Sequence, residues 1–271
     1  MTIACGFVVT EGILLCADTL YTDGFTKEYR DKLFPWVRKG ASVCFALAGH
    51  DSVARMAVEE CQIALSNSKL KRLSIADVIR IVKPALKEIQ RDYVDAAPYE
   101  ERAVKKFYLL IGVASNSDES PKLFATSDAA IKPVDGFQCI GAGQHLGQYI
   151  IEPMYNPTLA ISEAAILAIH TLAATKQRVD GVGGRSQFVV LRGTQISPVV
   201  GHDVNYAEPL VLEYQKHVAN LLLAIGNGEL STMEFRERLN KFTIYAEQIR
   251  KIWLDQAAPW RDLEKQLSLV S

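Results

Sequence analysis

A threonine, an aspartate and a lysine near the start of the chain are residue types that could do nucleophilic chemistry if the fold brought them to one place. Thr2 follows the initiator methionine, Asp18 stands sixteen residues after Thr2, and Lys32 heads the apolar run Lys32-Leu-Phe. A threonine hydroxyl is a poor nucleophile until a base takes its proton. The free α-amino group of an N-terminal residue, with an unperturbed pKa of about 7.7–8, can be that base within the same residue. Thr2 is small, so loss of Met1 alone would expose its amine. A lysine beside the hydroxyl would stabilise the alkoxide and lower the proton affinity of the amine. An aspartate paired with that lysine would keep it charged and oriented. A backbone N–H facing the tetrahedral oxyanion would add on the order of 10²–10³ in rate. Each residue also has a plain structural use: Thr2 in an edge strand, Asp18 as a turn cap, Lys32 as a solvated strand end.

Other chemistries fit less well. Gly141-Ala-Gly143-Gln-His-Leu-Gly147 follows a strand-like run and opens a helix, as a dinucleotide-binding turn would. Pro153 and Pro157 come next, then another helix, and no strand ending in an acidic residue follows at the required distance. Cys5 as an N-terminal nucleophile would need cleavage after Ala4, and its spacing to Asp18 would be three residues shorter than that of Thr2. The five cysteines lie in apolar runs with no CxxC pair, which predicts reduced core thiols and neither a zinc site nor a redox motif. The five histidines show no HxxxH spacing, so no metal or other cofactor is expected. A formal net charge of −1 gives no electrostatic footprint for nucleic acid or an anionic membrane. No apolar run approaches the roughly 18 residues of a membrane span. The short apolar run Ile3–Val9 has no basic leader and reads as a strand. A cytoplasmic protein is expected.

The elements that must position these residues follow from periodicity. Ile3–Val9 and 13–19 are β-rich runs around the turn Thr10-Glu11-Gly12. A second pair, 32–37 and 42–48, is joined at Arg38-Lys39-Gly40. Two amphipathic helices follow, over 52–65 and 75–93, the second capped by Ser74. Strands over 107–113, 122–126, 130–134 and 137–140 come next, then a helix pair over 145–154 and 162–176. Two further strands, 187–192 and 196–200, close the series. This order is not strict βαβ alternation. It predicts an α+β fold, a four-layer αββα sandwich of two antiparallel sheets with a helix pair on each outer side. Domain boundaries are placed at 1–204 and 205–271, the second a C-terminal helical extension. Its helices, 210–225 and 232–254, meet at Gly226-Asn227-Gly228, and Ser231 with Glu234 forms a capping-box signature. The apolar stripe of the second helix, through Phe235, Leu239, Phe242 and Ile249 toward Trp253 and Trp260, predicts subunit–subunit contacts.

The opening segment, from Thr2 through Gly6 and Gly12 to Ala17-Asp18-Thr19, resembles the start of proteasome β-type subunits, N-terminal-nucleophile (Ntn) threonine hydrolases. In that family a mature N-terminal threonine starts the first strand. The resemblance covers about residues 2–200 and implies that Thr2 is the nucleophile. Lys32 looks like the family's catalytic lysine, with Asp18 as its partner, although the loop before it is two residues shorter than usual. Leu47-Ala48-Gly49 resembles the strand end whose glycine amide forms the oxyanion hole. Leu47 matches the position at the base of the substrate pocket. Asp180-Gly-Val-Gly-Gly resembles the family's Asp-x-x-Ser-Gly loop. Two family serines that bond the N-terminal amine are replaced by Ala142 and Gly183.

The function implied is hydrolysis of peptide bonds in peptides or unfolded protein by a self-compartmentalising threonine protease. The implied partners are further copies in a homo-oligomeric ring and an ATP-dependent unfoldase. An inactive ring or assembly subunit and a small-molecule Ntn amidase are the alternatives.

Overall fold

The computed structural model describes residues 2–22, 26–38, 40–127, 129–199 and 201–256, with the side chains of 199, 201–206 and 256 left aside. Met1, Lys39, Val200 and Trp260 lie outside the described residues. The chain falls into two compact units, the first ending at Gly201 and the second beginning at His202.

In the first unit, β1 (Ile3–Val9) and β2 (Gly12–Asp18) form the expected hairpin. Two short strands follow, β3 (Leu20–Thr22) and β4 (Lys27–Tyr29), which pair with each other. Next come β5 (Leu33–Arg38), β6 (Ala41–Gly49), α1 (Asp51–Ser66) and α2 (Ile75–Ile89), whose last turn widens into a π-helical segment over Gln90–Asp95. The short helix α3 (Tyr99–Lys105) precedes β7 (Phe107–Ser115), β8 (Lys122–Ser127), β9 (Ala130–Val134) and β10 (Phe137–Gly141). Helices α4 (Gln144–Ile151) and α5 (Ile161–Arg178) lead to β11 (Ser186–Arg192) and β12 (Gln195–Val199).

Sequence periodicity misses three of these elements. No residue of α3 is buried, so it carries no apolar stripe. Its support is electrostatic, with Glu100 and Glu101 in its first turn and Arg102 and Lys105 in its last. Strands β3 and β4 are three residues each, too short for a period-two signal.

Two five-stranded antiparallel sheets result, in the orders β10-β1-β2-β11-β12 and β5-β6-β7-β8-β9. One buried cluster draws on both: Ala4, Ile13, Leu15 and Val189 from the first sheet meet Ala46, Leu110 and Leu123 from the second. A separate cluster joins the second sheet to α1 and α2 through Val43, Phe45, Phe107, Val58, Val78 and Leu86. Helices α4 and α5 pack on β10, β1 and β2. The central strands β1, β2, β6 and β7, buried nearly throughout, thus have apolar neighbours on both faces.

The second unit holds α6 (Gly201–Ile225) and α7 (Thr232–Gln256). Tyr214 meets Phe242, ring centroids 5.6 Å apart, and His217 meets Tyr245 at 4.4 Å. Ser231 and Glu234 make the reciprocal bonds expected at the start of α7. Phe235, Phe242 and Ile249 are half-buried, and the apolar surface left in water concentrates near the hairpin tip, at Leu222, Leu223, Ile225 and Met233.

Ser74 does cap α2: its Oγ accepts from the Asp77 amide at 3.1 Å, and Asp77 accepts from the Ser74 amide at 3.1 Å. Ser74→Ala is expected to lower stability by about 1 kcal/mol, read by denaturant unfolding.

Candidate active site

The site assembles at one end of the first sheet. Thr2 precedes β1 and, two residues before Ala4, falls on the same face as Ala4, which lies in the core between the sheets. Asp18 is the last residue of β2, and the hairpin brings that end back beside the start of β1. Lys32 precedes β5 of the other sheet. Asp18 and Lys32 are almost completely buried, at 0% and 1% exposure, and Thr2 is 4% exposed.

The Asp18 carboxylate organises the group. Its Oδ1 accepts from Lys32 Nζ at 2.9 Å and from the Ile3 amide, which follows Thr2 directly, at 3.0 Å. Its Oδ2 accepts from the Gly183 amide at 3.0 Å. Lys32 Nζ also donates to the Leu20 carbonyl at 2.6 Å. The ammonium and the peptide that ends Thr2 therefore share one acceptor. Burial lowers the Lys32 pKa from its ordinary value, and Asp18 counters that by charge and hydrogen bond; Asp51 adds to the opposition and Arg55 to the lowering.

Two glycines shape the approach to Thr2. Gly141, paired with Ile3, has φ +93°, and a Cβ there would fall 2.4 Å from the Thr2 carbonyl oxygen. That carbonyl accepts from the Gly143 amide at 3.2 Å. Gly49, at the end of β6, has φ +90°, and a Cβ would fall 2.4 Å from the Lys106 carbonyl. Both positions need a residue without a side chain.

Thr2 and Gly49 line a common cleft of about 660 Å³, with Tyr21, Val104, Tyr108 and Ala142 among its walls. Tyr21 belongs to β3 and Val104 to α3, so elements without a sequence period build the cleft. His50 and Asp51, at the start of α1, also line it, and His50 Nδ1 and Asp51 Oδ1 have no hydrogen-bond partner among the described residues. Leu47 packs instead in the cluster between the second sheet and α1, and is not among the lining residues. Asp180 lies exposed on the turn after α5, also outside the lining. Cys5 is fully buried in β1 with its Sγ 3.2 Å from that of Cys139, as a core thiol would be.

The sequence reading missed a polar group around Lys32. Asp51 Oδ2 accepts from Arg55 at 2.8 Å and from Arg30 at 3.2 Å, and Arg55 Nη2 donates to the Asp31 carbonyl at 2.9 Å. The Lys32 amide donates to Gln187 Oε1 at 2.9 Å. These partners lie up to 155 positions apart, so no local spacing marks them.

Removing one member of a buried ion pair leaves the other charge uncompensated. Lys32→Met is expected to destabilise the protein by about 3 kcal/mol in denaturant unfolding, with Asp18 still held by two amides. Adding Asp18→Asn should then be less costly than the two single changes summed.

The proteasome subunit family matches residues 2–191. Comparison with curated proteins finds no match. Among solved structures, the chain resembles Anbu from Hyphomicrobium sp. strain MC1, with TM-score 0.67 and 17% identity over 84% of this chain and 100% of that one. A helical assembly of the Anbu complex from Pseudomonas aeruginosa gives TM-score 0.70 and 14% identity over 82% and 96%. Anbu from Yersinia bercovieri, described as an ancestral β-subunit, gives 0.66 and 14% over 83% and 96%. Identities this low speak for the fold alone, whereas the family match spans most of the first unit. This chain belongs to the proteasome subunit family.

Proposed function

We propose that this chain is a proteasome-like threonine peptidase with Thr2 as nucleophile once Met1 is removed. The observation that carries the reading is the shared acceptor: Asp18 Oδ1 binds both Lys32 Nζ and the amide that follows Thr2. The layer order, a helix pair on each outer face of two stacked sheets, is read as the αββα sandwich of Ntn hydrolases.

An ammonium has three N–H donors. Two of those on Lys32 go to Asp18 and the Leu20 carbonyl, which leaves one for Thr2 Oγ1. The Thr2 amine takes the hydroxyl proton, and Oγ1 attacks the substrate carbonyl carbon. The Gly49 amide stabilises the oxyanion. The amine returns the proton to the leaving nitrogen, the peptide C–N bond breaks, and an ester to Thr2 remains. Water, activated by the same amine, hydrolyses that ester. Asp180 is given no step, because its exposed turn lies outside the cleft lining.

One observation favours an inactive ring or assembly subunit. Ala142 lines the cleft with no hydroxyl, and Gly183 offers Asp18 only its backbone amide. Neither position offers a hydroxyl to relay protons, a part that ordered water would have to take in an active subunit.

The same reading places the protein in the cytoplasm, as a homo-oligomer acting on peptides or unfolded protein, with an ATP-dependent unfoldase as partner. The assembly seen for the Pseudomonas aeruginosa relative and the exposed apolar tip of the α6–α7 hairpin support self-association.

Intact-mass analysis should show Thr2 as the first residue, and Thr2→Ala should abolish peptide hydrolysis while leaving the unfolding midpoint unchanged. Full activity in that variant would remove the assignment. The rate should rise with pH as the amine loses its proton. It should fall again below the ordinary lysine value of about 10.4, because burial lowers the Lys32 pKa. Truncation after Val204 should shift the assembly toward smaller species and leave a folded core, read by size-exclusion chromatography with light scattering. An unchanged oligomer would show that the hairpin serves another contact.

A further inference from the structure

Asp18 ends one strand of the first sheet and Thr2 leads into another, whereas Lys32 leads into the second sheet, so their spacing depends on what ties the sheets together at this end. Lys32 stands just before β5, an edge strand of the second sheet. Its amide finds its acceptor in the first sheet: Gln187 Oε1, on β11, at 2.9 Å. The other end of the same carboxamide, Nε2, donates to Asp31 Oδ1. Gln187 thus grips two successive residues. Its neighbour Ser186 pairs with Asp18 in the β2–β11 register, so the grip originates beside the carboxylate that Lys32 must meet.

Other bonds hold the same segment from different sides. The Arg30 amide donates to the Thr19 carbonyl at 2.9 Å, and the Lys32 carbonyl accepts from the Leu47 amide at 3.1 Å. Arg55 holds the Asp31 carbonyl from α1. Gln187 differs from these in binding the segment through both ends of one rigid planar group. A planar amide with a donor at one end and an acceptor at the other fixes position and orientation together.

We infer that Gln187 is a positioning residue, clamping the Asp31–Lys32 peptide to the sheet that carries Thr2 and Asp18 so that the lysine ammonium meets the carboxylate. Its value for catalysis rests on the reading of Lys32 as the group that serves Thr2; the clamp itself does not. The charged groups facing Lys32 are Asp18 from β2 with Asp51 and Arg55 from α1, and the Thr2 amine joins them in a processed chain. If the clamp is lost while Lys32 stays buried, Asp18 no longer fully opposes the effect of burial. The ammonium must then lose its proton at lower pH than in the native chain.

The test uses the full chain with isotope-labelled lysine, followed at Cε by NMR across pH, with the Lys32 signal identified by its absence in Lys32→Met. In Gln187→Met, Lys32 should titrate at lower pH than in the wild type. Exchanging the pair, Asp31→Asn with Gln187→Glu, conserves charge and rebuilds both hydrogen bonds with one donor and acceptor reversed. It should restore the titration, which a merely structural role for Gln187 would not predict. Peptide turnover is the second readout: kcat should fall by up to about 10²-fold in Gln187→Met with KM little changed, and recover in the exchanged pair. An unshifted Lys32 titration in a folded Gln187→Met, or an exchanged pair no better than the single change, overturns the clamp. Should Gln187→Met fail to fold, Gln187→Glu alone, which loses the donor to Asp31, must show a fall in kcat that the exchanged pair repairs; turnover is the readout there, because the added carboxylate itself favours the ammonium. A shifted titration in a protein without any peptidase activity would leave the clamp standing and remove the proposed function instead.

Discussion

A carboxylate with no exposure to water is tolerated only when its charge and its lone pairs are answered. Asp18 is answered three times: by Lys32 Nζ, by the Ile3 amide and by the Gly183 amide. Each donor comes from a different stretch of chain. The Ile3 amide fixes the start of β1, the Gly183 amide fixes the loop before β11, and the ammonium draws in the segment leading to β5. One buried charge therefore sets the relative placement of three segments, and Thr2 is carried along because the peptide bond that follows it is one of the donors.

The space around that charge is set by backbone. The positive φ values of Gly141 and Gly49 let strands approach where any Cβ would collide with a carbonyl. The first close approach holds Thr2 and the second shapes the opposite wall of the cleft. Tyr21 and Val104 complete the walls from a two-stranded ribbon and a helix with no buried face, elements held by neighbours more than by their own periodicity. The lysine shows the same division: its charge meets Asp18, while its backbone is gripped from the opposite sheet by Gln187.

Membership of the proteasome subunit family and the geometry at Thr2 point the same way, while Ala142 and Gly183 pull against them. Structures that share 14–17% identity with this chain speak to the arrangement of strands and helices. The chemistry has to be read from the residues: Thr2, Asp18 and Lys32 stand at the cleft end of the sheets, while Ala142 and Gly183 carry no hydroxyl. The pairing of Asp18 with Lys32 is what a buried charge demands for stability as well as for reaction.

The strands and long helices were legible in the sequence because their signals are local. The apolar run over Ile3–Val9, a 3.6-residue stripe in α1 and α2, and the Ser74 and Ser231 caps act within a few residues of where they are read. The Thr2, Asp18 and Lys32 set was legible only through its resemblance to a family, since nothing in a spacing of sixteen residues says that two strand ends return to one point. That Asp180 lies on an exposed turn and Leu47 in the outer core, that α3 and β3 wall the cleft, and that Gln187 bonds a residue 155 positions away were decided by the stacking of the two sheets. Propensity and periodicity are properties of neighbouring residues; which side chains meet across a cleft depends on how whole layers settle against one another, and that is fixed by burial summed over the entire core.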